Sequence, residues 1–252
     1  MSNEYICGDV LKELKDAKFD LIITSPPYNI GKNYNYYNDC KSDEEYLNWM
    51  YQVYTKLYNC MSDNGSLYLN LGSNLKNAVL PIKTILQATN AGFVLQNTIM
   101  WVKSIAIPND ETRDGIGFTA GHYTPIQSER YHHSGFEYIF HLTKNGNVKI
   151  NKTNTAVSHK DKSNDNRWQN DLRDRGNVWF IPYDTVQDKK KHPAQFPQRL
   201  VEMCILDFGQ KPNCILDPFC GIGTVGKVAK KYGYNSLGYD IDPTYVKIAN
   251  EE

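Results

Sequence analysis

The sequence lacks the charge excess, the long apolar runs and the cysteine patterns that assign a chain to several large classes of protein. Its 28 Lys and Arg balance 28 Asp and Glu, so any surface for nucleic acid has to be local. No apolar run approaches a membrane span, and the first residues carry no secretion signal. The six cysteines form no C-x-x-C pair and no zinc-ligand spacing with histidine. We therefore expect a cytoplasmic protein with reduced thiols and no metal.

The 252 residues are 40% apolar, and segments of strand and helix character alternate along them, which predicts an α/β fold. We expect a doubly wound, mostly parallel, Rossmann-like sheet within one domain that carries a polar insertion. The predicted strands are 4–7, 19–23, 66–71, 93–102, 136–143, 148–150, 178–181, 214–217 and 235–240. The predicted helices are 11–17, 75–89, 194–207, one that starts at Thr224, and one that starts in a capping box of Ser42 and Glu45 and runs to Met61.

Residues 213–226 (NCILDPFCGIGTVG) combine a buried strand, a glycine turn and a helix start. Gly221, Gly223 and Gly226 match the G-x-G-x-x-G spacing that lets a nucleotide-like cofactor approach the backbone. Asp217, at the strand end, would repel a pyrophosphate, and no P-loop lysine follows. A cofactor with positive charge, such as S-adenosylmethionine, suits Asp217 better, and Asp240 ends the next strand where a ribose diol is usually held. A plain tight turn with a capping aspartate is the alternative.

Residues 24–29 (TSPPYN) follow the apolar strand 19–23 directly. Two prolines cannot continue a central strand, because each lacks the N–H group that the ladder needs. The chain therefore leaves the sheet at this point. We expect Ser25, Pro26, Pro27 and Tyr28 to lie at the carboxyl edge of the sheet, where open α/β folds place their active sites.

These segments together resemble the β-class of amino-group DNA methyltransferases, whose chain order is catalytic motif, target-recognition region and cofactor motif. The matching segments are TSPPYN at 24–29, HPAQFP at 192–197, DPFCGIG at 217–223 and LGYD at 237–240. The motif order is circularly permuted, so the two ends of the chain meet only if the first strand lies beside the strand that ends at Asp240. The resemblance covers nearly the whole chain.

The resemblance implies S-adenosyl-L-methionine as cofactor and assigns a set of residues to it. Asp9 is expected to bind the adenine amino group, and Asp240 the ribose. The full expected cofactor set is Asp9, Val10, Thr24, Asp217, Pro218, Phe219, Gly221, Gly223, Asp240, His192, Ala194 and Phe196.

The catalytic motif suits methylation of an exocyclic base amine. Such an amine is a poor nucleophile because its lone pair is delocalised into the ring. Hydrogen-bond acceptors aimed at its two protons favour the tetrahedral nitrogen that attacks the methyl group, and Ser25 Oγ and the Pro26 carbonyl are suited to this. Tyr28 is expected to stack on a base turned out of the duplex.

Residues 145–191 form the candidate target-recognition insertion, between a catalytic part at 1–144 and a cofactor-binding part at 192–252. Eleven Lys and Arg face six Asp and Glu between residues 144 and 191. This local surplus of positive charge fits contacts to phosphates or guanine in double-stranded DNA. The candidate DNA-binding residues are Arg167, Arg173, Arg175, Lys189, Lys190 and Lys191.

Several alternatives stay open at this point. A serine at the start of the tetrad is more usual for enzymes that methylate N4 of cytosine, with N6 of adenine as the second candidate and RNA as a further one. Ser25 argues against a glutamine-modifying enzyme, Asp217 against an NAD-dependent oxidoreductase, and the intact motifs against a non-catalytic DNA-binding protein. A cognate restriction endonuclease and a homodimer are partners that the resemblance allows.

Overall fold

The structure of the protein, a computed structural model, describes residues 2–14, 17–73, 77–105, 119–120, 129–132, 134–158, 172–182 and 196–251. Its strands are β1 (Asn3–Cys7), β2 (Phe19–Thr24), β3 (Met61–Leu71), β4 (Val94–Ile105), β5 (Thr119–Ala120), β6 (Phe136–Thr143), β7 (Val157–Ser158), β8 (Leu172–Arg173), β9 (Val178–Pro182), β10 (Cys214–Asp217) and β11 (Asn235–Asp240). Its helices are α1 (Val10–Glu13), α2 (Asp43–Cys60), α3 (Leu80–Asn90), α4 (Lys152–Thr155), α5 (Gln198–Asp207), α6 (Thr224–Lys231) and α7 (Pro243–Glu251). Within these ranges, no helix has the length and apolar character to cross a bilayer.

Nine of the described strands form one sheet in the order β1-β11-β10-β2-β3-β6-β4-β5, with β9 paired to β4. The neighbours from β1 to β3 are parallel, whereas β6 runs antiparallel to both β3 and β4. In β1, Cys7 lies opposite Asp240 of β11, so the first strand of the chain does pair with the last. The doubly wound α/β fold and the meeting of the two chain ends are confirmed.

Helices cover both faces of the sheet, because the central strands are apolar on both sides. In β2, the fully buried Ile22 faces a cluster built on α2 and α3. Its neighbours Leu21 and Ile23 face a second cluster, built on α5 and α6. The continuous apolar run of β2 therefore reflects burial on both faces, as its sequence predicted.

Helix α2 begins as the sequence predicts and ends one residue earlier. Ser42 Oγ accepts from the backbone N–H of Glu45, and the Glu45 carboxylate accepts from the Ser42 N–H, which completes the capping box. The helix stops at Cys60 because Met61 already pairs with Phe19 of β2. Strand β3 therefore starts at Met61, and the expected start at residue 66 is wrong.

Other predicted boundaries also need correction. The helix expected over 194–207 starts at Gln198, because Pro197 (ψ 146°) is extended and cannot sit inside a helix. The strand expected over 148–150 is reduced to one bridge between Ile150 and Phe208. The helix expected over 75–89 begins at Leu80, and the one expected over 11–17 is the single turn of α1.

Gly226 of α6 is required by packing between the two ends of the chain. A Cβ atom there would lie 2.0 Å from the Tyr5 hydroxyl and 3.0 Å from Ser236 Oγ. The Tyr5 hydroxyl donates to the Gly223 carbonyl oxygen at 3.3 Å. The third glycine of the motif thus lets α6 sit close to β1, and this brings the glycine turn to the edge of the sheet.

Candidate active site

The carboxyl ends of the parallel strands surround one large cavity. Because β1, β11, β10 and β2 are neighbours, the loops that follow them open on the same edge of the sheet. The cavity has a volume of about 1020 Å³, at the upper end of the range for sites that hold small molecules. Asp9, Ser25, Tyr28, Asp217 and Asp240 all line it. Segments from both ends of the chain therefore share one site.

The loop after β2 is anchored to a helix on one side and faces the cavity on the other. The buried Tyr46 of α2 donates its hydroxyl to the Pro27 carbonyl oxygen at 2.9 Å. Ser25 and Pro26 line the cavity, and the proline ring restricts the backbone that carries the Pro26 carbonyl. A hydroxyl and a carbonyl oxygen both accept hydrogen bonds, so this wall suits a ligand that presents N–H groups.

Ser25 is the end of a polar chain that crosses the sheet. Its Oγ lies 2.8 Å from the Tyr28 hydroxyl, which lies 3.0 Å from Oδ1 of Asn70 and 3.0 Å from Oε2 of Glu137. Oε1 of Glu137 forms a 2.5 Å ion pair with Lys103. Burial, followed by the charge of Glu137, raises the pKa of Tyr28 well above its usual value, so the tyrosine keeps its proton.

The turn after β10 depends on glycine for its backbone conformation. Gly221 has a φ of 50° and Gly223 a φ of 83°, both in the left-handed region that side chains disfavour. Gly223 is also the N-cap of α6. Gly221 lines the cavity, so this turn brings the backbone to the cavity edge.

Asp217 is buried beneath this turn and links the two motif loops. Its Oδ1 accepts from Thr24 Oγ1 at 2.9 Å and from the Phe219 N–H at 3.1 Å. Burial raises the pKa of Asp217 to about 7, and the charge of Asp240 adds to the rise, while the two hydrogen bonds oppose it. The site therefore holds a carboxyl group that titrates near neutral pH.

Asp240 fixes the geometry of two loops at once. Its Oδ2 accepts from the Gly221 N–H at 2.9 Å, and its Oδ1 accepts from the Asp242 N–H at 2.9 Å. Burial raises the pKa of Asp240 also, and the charge of Asp242 adds to the rise. The remaining lone pairs of the Asp240 carboxylate are suited to hydroxyl donors of a bound ligand.

Asp9 has a structural role besides its place in the cavity wall. Its Oδ1 accepts from the Leu11 N–H at 3.0 Å and so caps α1. The Gly8 N–H donates to the Asp240 carbonyl oxygen, which holds the start of this loop against β11. Asp9 and Val10 both line the cavity, and their contact with a cofactor stays a prediction.

The loop at residues 29–41 follows the proline motif and reaches across to the loop after β11. Its fold depends on the buried carboxylate of Asp39, which accepts hydrogen bonds from the backbone N–H groups of Asn29, Ile30 and Lys32. At its tip, Asn35 Nδ2 donates to Oδ2 of the buried Asp242 at 2.9 Å. This loop forms part of the cavity wall.

Aromatic rings form the remaining wall. Trp49 of α2 packs edge-on against Phe219, with ring centroids 5.6 Å apart, and lies 5.2 Å from the Tyr37 ring. The Tyr37 hydroxyl is buried and has no hydrogen-bond partner within the described part of the chain. The cavity therefore has aromatic rings as well as the acidic side chains of Asp9, Asp217 and Asp240 in its wall, which suits a flat aromatic ligand with polar groups.

The structure brings most of the predicted site residues together. The predicted residues that line the cavity are Ser25, Pro26, Pro27, Tyr28, Asp9, Val10, Asp217, Pro218, Phe219, Gly221, Asp240 and Phe196. Thr24 and Gly223 lie just behind the wall, where Thr24 holds Asp217 and Gly223 caps α6. The predicted residues outside the described ranges are His192, Ala194, Arg167, Lys189, Lys190 and Lys191.

Arg173 and Arg175 do not line the cavity. Arg175 Nε donates to the Thr155 carbonyl oxygen at 2.9 Å, and Arg173 Nη1 approaches the Asp174 carbonyl at 3.4 Å. Both lie beside α4 and β7, at the edge of the described part of the insertion. Their contact with DNA stays a prediction, as do the boundaries drawn at 144 and 191.

Sequence reasoning missed the polar residues on β3, β4 and β6 and the aromatic Trp49. Asn70 lies at the carboxyl end of a predicted strand, a position that marks candidate site residues in this kind of fold. Glu137 lies at the start of β6, and only the antiparallel direction of β6 brings that end to the same edge. Trp49 lies within the helix predicted to run to Met61, and no local pattern marks it as a cavity residue.

Comparison with known proteins assigns the chain to a family. The family model N6_N4_Mtase, described as DNA methylase, matches residues 19–251. The type II methyltransferase M.HpaI of Haemophilus parainfluenzae is 27% identical in sequence, and the match covers 100% of this chain and 74% of M.HpaI. The DNA adenine methyltransferase YhdJ of Escherichia coli K12 is also 27% identical, and the match covers 96% of this chain and 80% of YhdJ.

Solved structures share the fold. The cytosine-N4-specific PvuII DNA methyltransferase superposes with a TM-score of 0.72 at 18% identity, over 99% of this chain and 86% of that one. The complex of M1.HpyAVI with SAM superposes with a TM-score of 0.59 at 20% sequence identity, over 99% of both chains. Since the family model spans most of the chain, the protein belongs to the N6/N4 DNA methylase family, as the motifs at 24–29 and 217–223 predicted.

Proposed function

We propose that the protein transfers a methyl group from S-adenosyl-L-methionine to the exocyclic N4 of cytosine within a specific sequence of double-stranded DNA. The observation that carries this proposal is the position of Ser25 and Pro26 in the wall of the cavity that Asp217 and Asp240 also line. An acceptor pair and a cofactor pocket in one cavity are what methylation of an amine requires.

The described residues fit the cofactor. Asp217 and Asp240 place negative charge beside the glycine turn, which suits a cation rather than a pyrophosphate. Phe219 and Trp49 both line the cavity and offer aromatic surface to an adenine ring. When bound, S-adenosyl-L-methionine supplies an electrophilic methyl group on its sulfonium. The protein's part is to hold the target amine in line with that methyl.

The catalytic loop prepares the target amine. Ser25 Oγ and the Pro26 carbonyl oxygen accept one N–H each, which withdraws the nitrogen lone pair from the ring and directs it towards the methyl group. The hydrogen bond from Thr24 to Asp217 ties this loop to the cofactor loop, so the two reactants are fixed relative to one another. Tyr28 would contact the face of the extruded base.

Two bases compete as the target. Ser25 supports cytosine, because serine opens this motif more often in N4-cytosine enzymes than in N6-adenine enzymes of the family that the sequence resembles. The structural neighbour from PvuII is named cytosine-N4-specific, whereas the relative YhdJ is named an adenine methyltransferase. N6 of adenine is therefore the second candidate, and both amines require the same pair of acceptors.

Identification of the product separates the candidates. Purified protein and labelled cofactor are incubated with unmodified genomic DNA, the DNA is digested, and the nucleosides are identified by mass spectrometry. We expect N4-methylcytosine. N6-methyladenine would contradict the assignment from Ser25 but keep the enzyme class, and no labelled nucleoside would contradict DNA as the substrate and direct the same assay to RNA.

The titration of Asp217 predicts how cofactor binding depends on pH. Because burial raises the pKa of this carboxyl to about 7, it is mostly neutral at pH 6 and mostly ionised at pH 8. Only the ionised form attracts a cation, so we expect the affinity for S-adenosyl-L-methionine to rise as pH increases through about 7. Calorimetric titration at a series of pH values measures the Kd for S-adenosyl-L-methionine. In Asp217→Asn the affinity should be weaker and flat over this range, and a persistent slope would assign the titration to another group.

Three partners follow from this function as proposals. Double-stranded DNA is the substrate, and the positive residues of 145–191 are the candidates to contact it. M.HpaI is named a type II methyltransferase, which is consistent with a cognate restriction endonuclease for this protein too. A homodimer would enlarge a DNA-binding surface that is small in one chain.

A further inference from the structure

We propose that Glu137 sets the direction of the hydrogen-bond chain through Tyr28, so that Ser25 presents lone pairs rather than its proton to the cavity. Glu137 is thereby a positioning residue for the reaction. The inference rests on the proposed function, in which Ser25 Oγ accepts an N–H of the target amine.

The direction of the chain follows from counting protons. Asn70 Nδ2 donates to Oε2 of Glu137 at 3.0 Å and to the Tyr138 carbonyl oxygen at 3.1 Å. Both partners are acceptors, so this amide has its nitrogen towards them and its oxygen towards Tyr28. The Tyr28 hydroxyl therefore faces two atoms that can only accept, Oδ1 of Asn70 and Oε2 of Glu137.

The single proton of Tyr28 must point towards one of these two acceptors. That proton is then not available for the hydrogen bond with Ser25. The 2.8 Å distance between the two hydroxyl oxygens does not by itself say which of them donates. The proton in that contact belongs to Ser25. With its own proton directed at Tyr28, the Ser25 hydroxyl keeps its lone pairs for the cavity, which is the polarity that an incoming N–H requires.

The charge of Glu137 maintains this arrangement. Its Oε2 accepts a hydrogen bond from Asn70 and lies 3.0 Å from the Tyr28 hydroxyl, while its Oε1 pairs with Lys103 at 2.5 Å. Donors converge on both oxygens, so an ionised carboxylate fits the site and an amide does not. The two side chains are also mostly buried, with exposures of 13% for Glu137 and 19% for Lys103, so water competes little for these contacts.

A glutamine at position 137 would break this order. Its NH2 group would face either Lys103 or the converging donors of Tyr28 and Asn70. With an NH2 group beside it, the Tyr28 oxygen becomes an acceptor for residue 137, and its proton is shared between Asn70 and Ser25. We expect Ser25 to turn its proton towards the cavity for part of the time, which opposes binding of the amine in its reactive geometry.

The test is the single-turnover rate of methyl transfer to DNA in four proteins: wild type, Glu137→Gln, Tyr28→Phe and the double variant. We expect Glu137→Gln to lower the rate about tenfold with the Kd for S-adenosyl-L-methionine unchanged, as for other partners that orient a reacting group. Because Tyr28 transmits the effect, adding Glu137→Gln to Tyr28→Phe should cause no further loss.

Glu202→Gln is the matched control. Glu202 forms a 2.5 Å ion pair with Lys231, and its side chain is 12% exposed, nearly the same fraction as that of Glu137. It lies on α5, outside the cavity wall. Its rate should equal that of wild type. The inference would be overturned if Glu137→Gln kept the wild-type rate, or if it lowered the rate of Tyr28→Phe by the same factor as that of wild type. Either result would leave the proposed function in place. Absence of methyl transfer by wild type would overturn the proposed function and this inference with it.

Discussion

Ser25→Ala is expected to reduce the rate of methyl transfer on the order of 100-fold, the loss found when one preorganised hydrogen-bonding group is removed from a reacting centre. The substitution removes the proposed acceptor for one amine proton and leaves the Pro26 carbonyl in place. Its hydrogen-bond partner is Tyr28 and not the cofactor wall, so the Kd for S-adenosyl-L-methionine should stay unchanged. Single-turnover transfer and calorimetric titration measure the two quantities.

Ser62→Ala is the matched control for this substitution. Ser62 Oγ donates to Asp20 Oδ1 at 2.7 Å, at the amino end of β2, and does not line the cavity. Its rate should be that of wild type. If Ser25→Ala instead weakened cofactor binding while its rate constant at saturating cofactor stayed normal, the roles of the two loops would be wrongly assigned.

Asp240→Ala should weaken binding of S-adenosyl-L-methionine on the order of 100-fold. The substitution removes two charge-assisted hydrogen bonds, to the N–H groups of Gly221 and Asp242, each worth about 1.5–3 kcal/mol. It removes the expected ribose contact as well. The glycine turn then loses its fixed position, so part of the binding free energy is spent on ordering it.

Asp20→Ala separates this effect from a general loss of stability. Asp20 also accepts two hydrogen bonds, from Ser62 Oγ and from the Asn213 N–H, but it lies at the opposite end of the same sheet. Titration calorimetry on both variants should show weak binding only in Asp240→Ala. An unchanged Kd in Asp240→Ala would contradict its role at the ribose.

The contact between Thr24 and Asp217 joins the two motif loops. Thr24 is the last residue of β2 and Asp217 the last residue of β10, and these strands are neighbours in the sheet. Their 2.9 Å hydrogen bond lies directly behind Ser25 and beneath the glycine turn. The Ser25 loop and the glycine turn are thus joined by one buried hydrogen-bonded pair.

Local sequence was sufficient for the motifs and for most elements. The strand that ends at Asp217, the positive φ at Gly221 and Gly223, and the prolines that take the chain out of β2 are consequences of residue type within a few positions. Element ends were less accurate where tertiary pairing decided them. Met61 lies in β3 rather than in α2 because Phe19 of β2 pairs with it.

The sequence by itself determined the fold class, the two motif loops and the family, because these depend on short patterns with a direct physical cause. Only the tertiary structure decided the surroundings of Ser25. Asn70, Lys103 and Glu137 lie on three different strands, and the reversed direction of β6 brings the start of that strand to the cavity. Contacts of this kind depend on strand order and register across the sheet, which no local pattern of residues encodes.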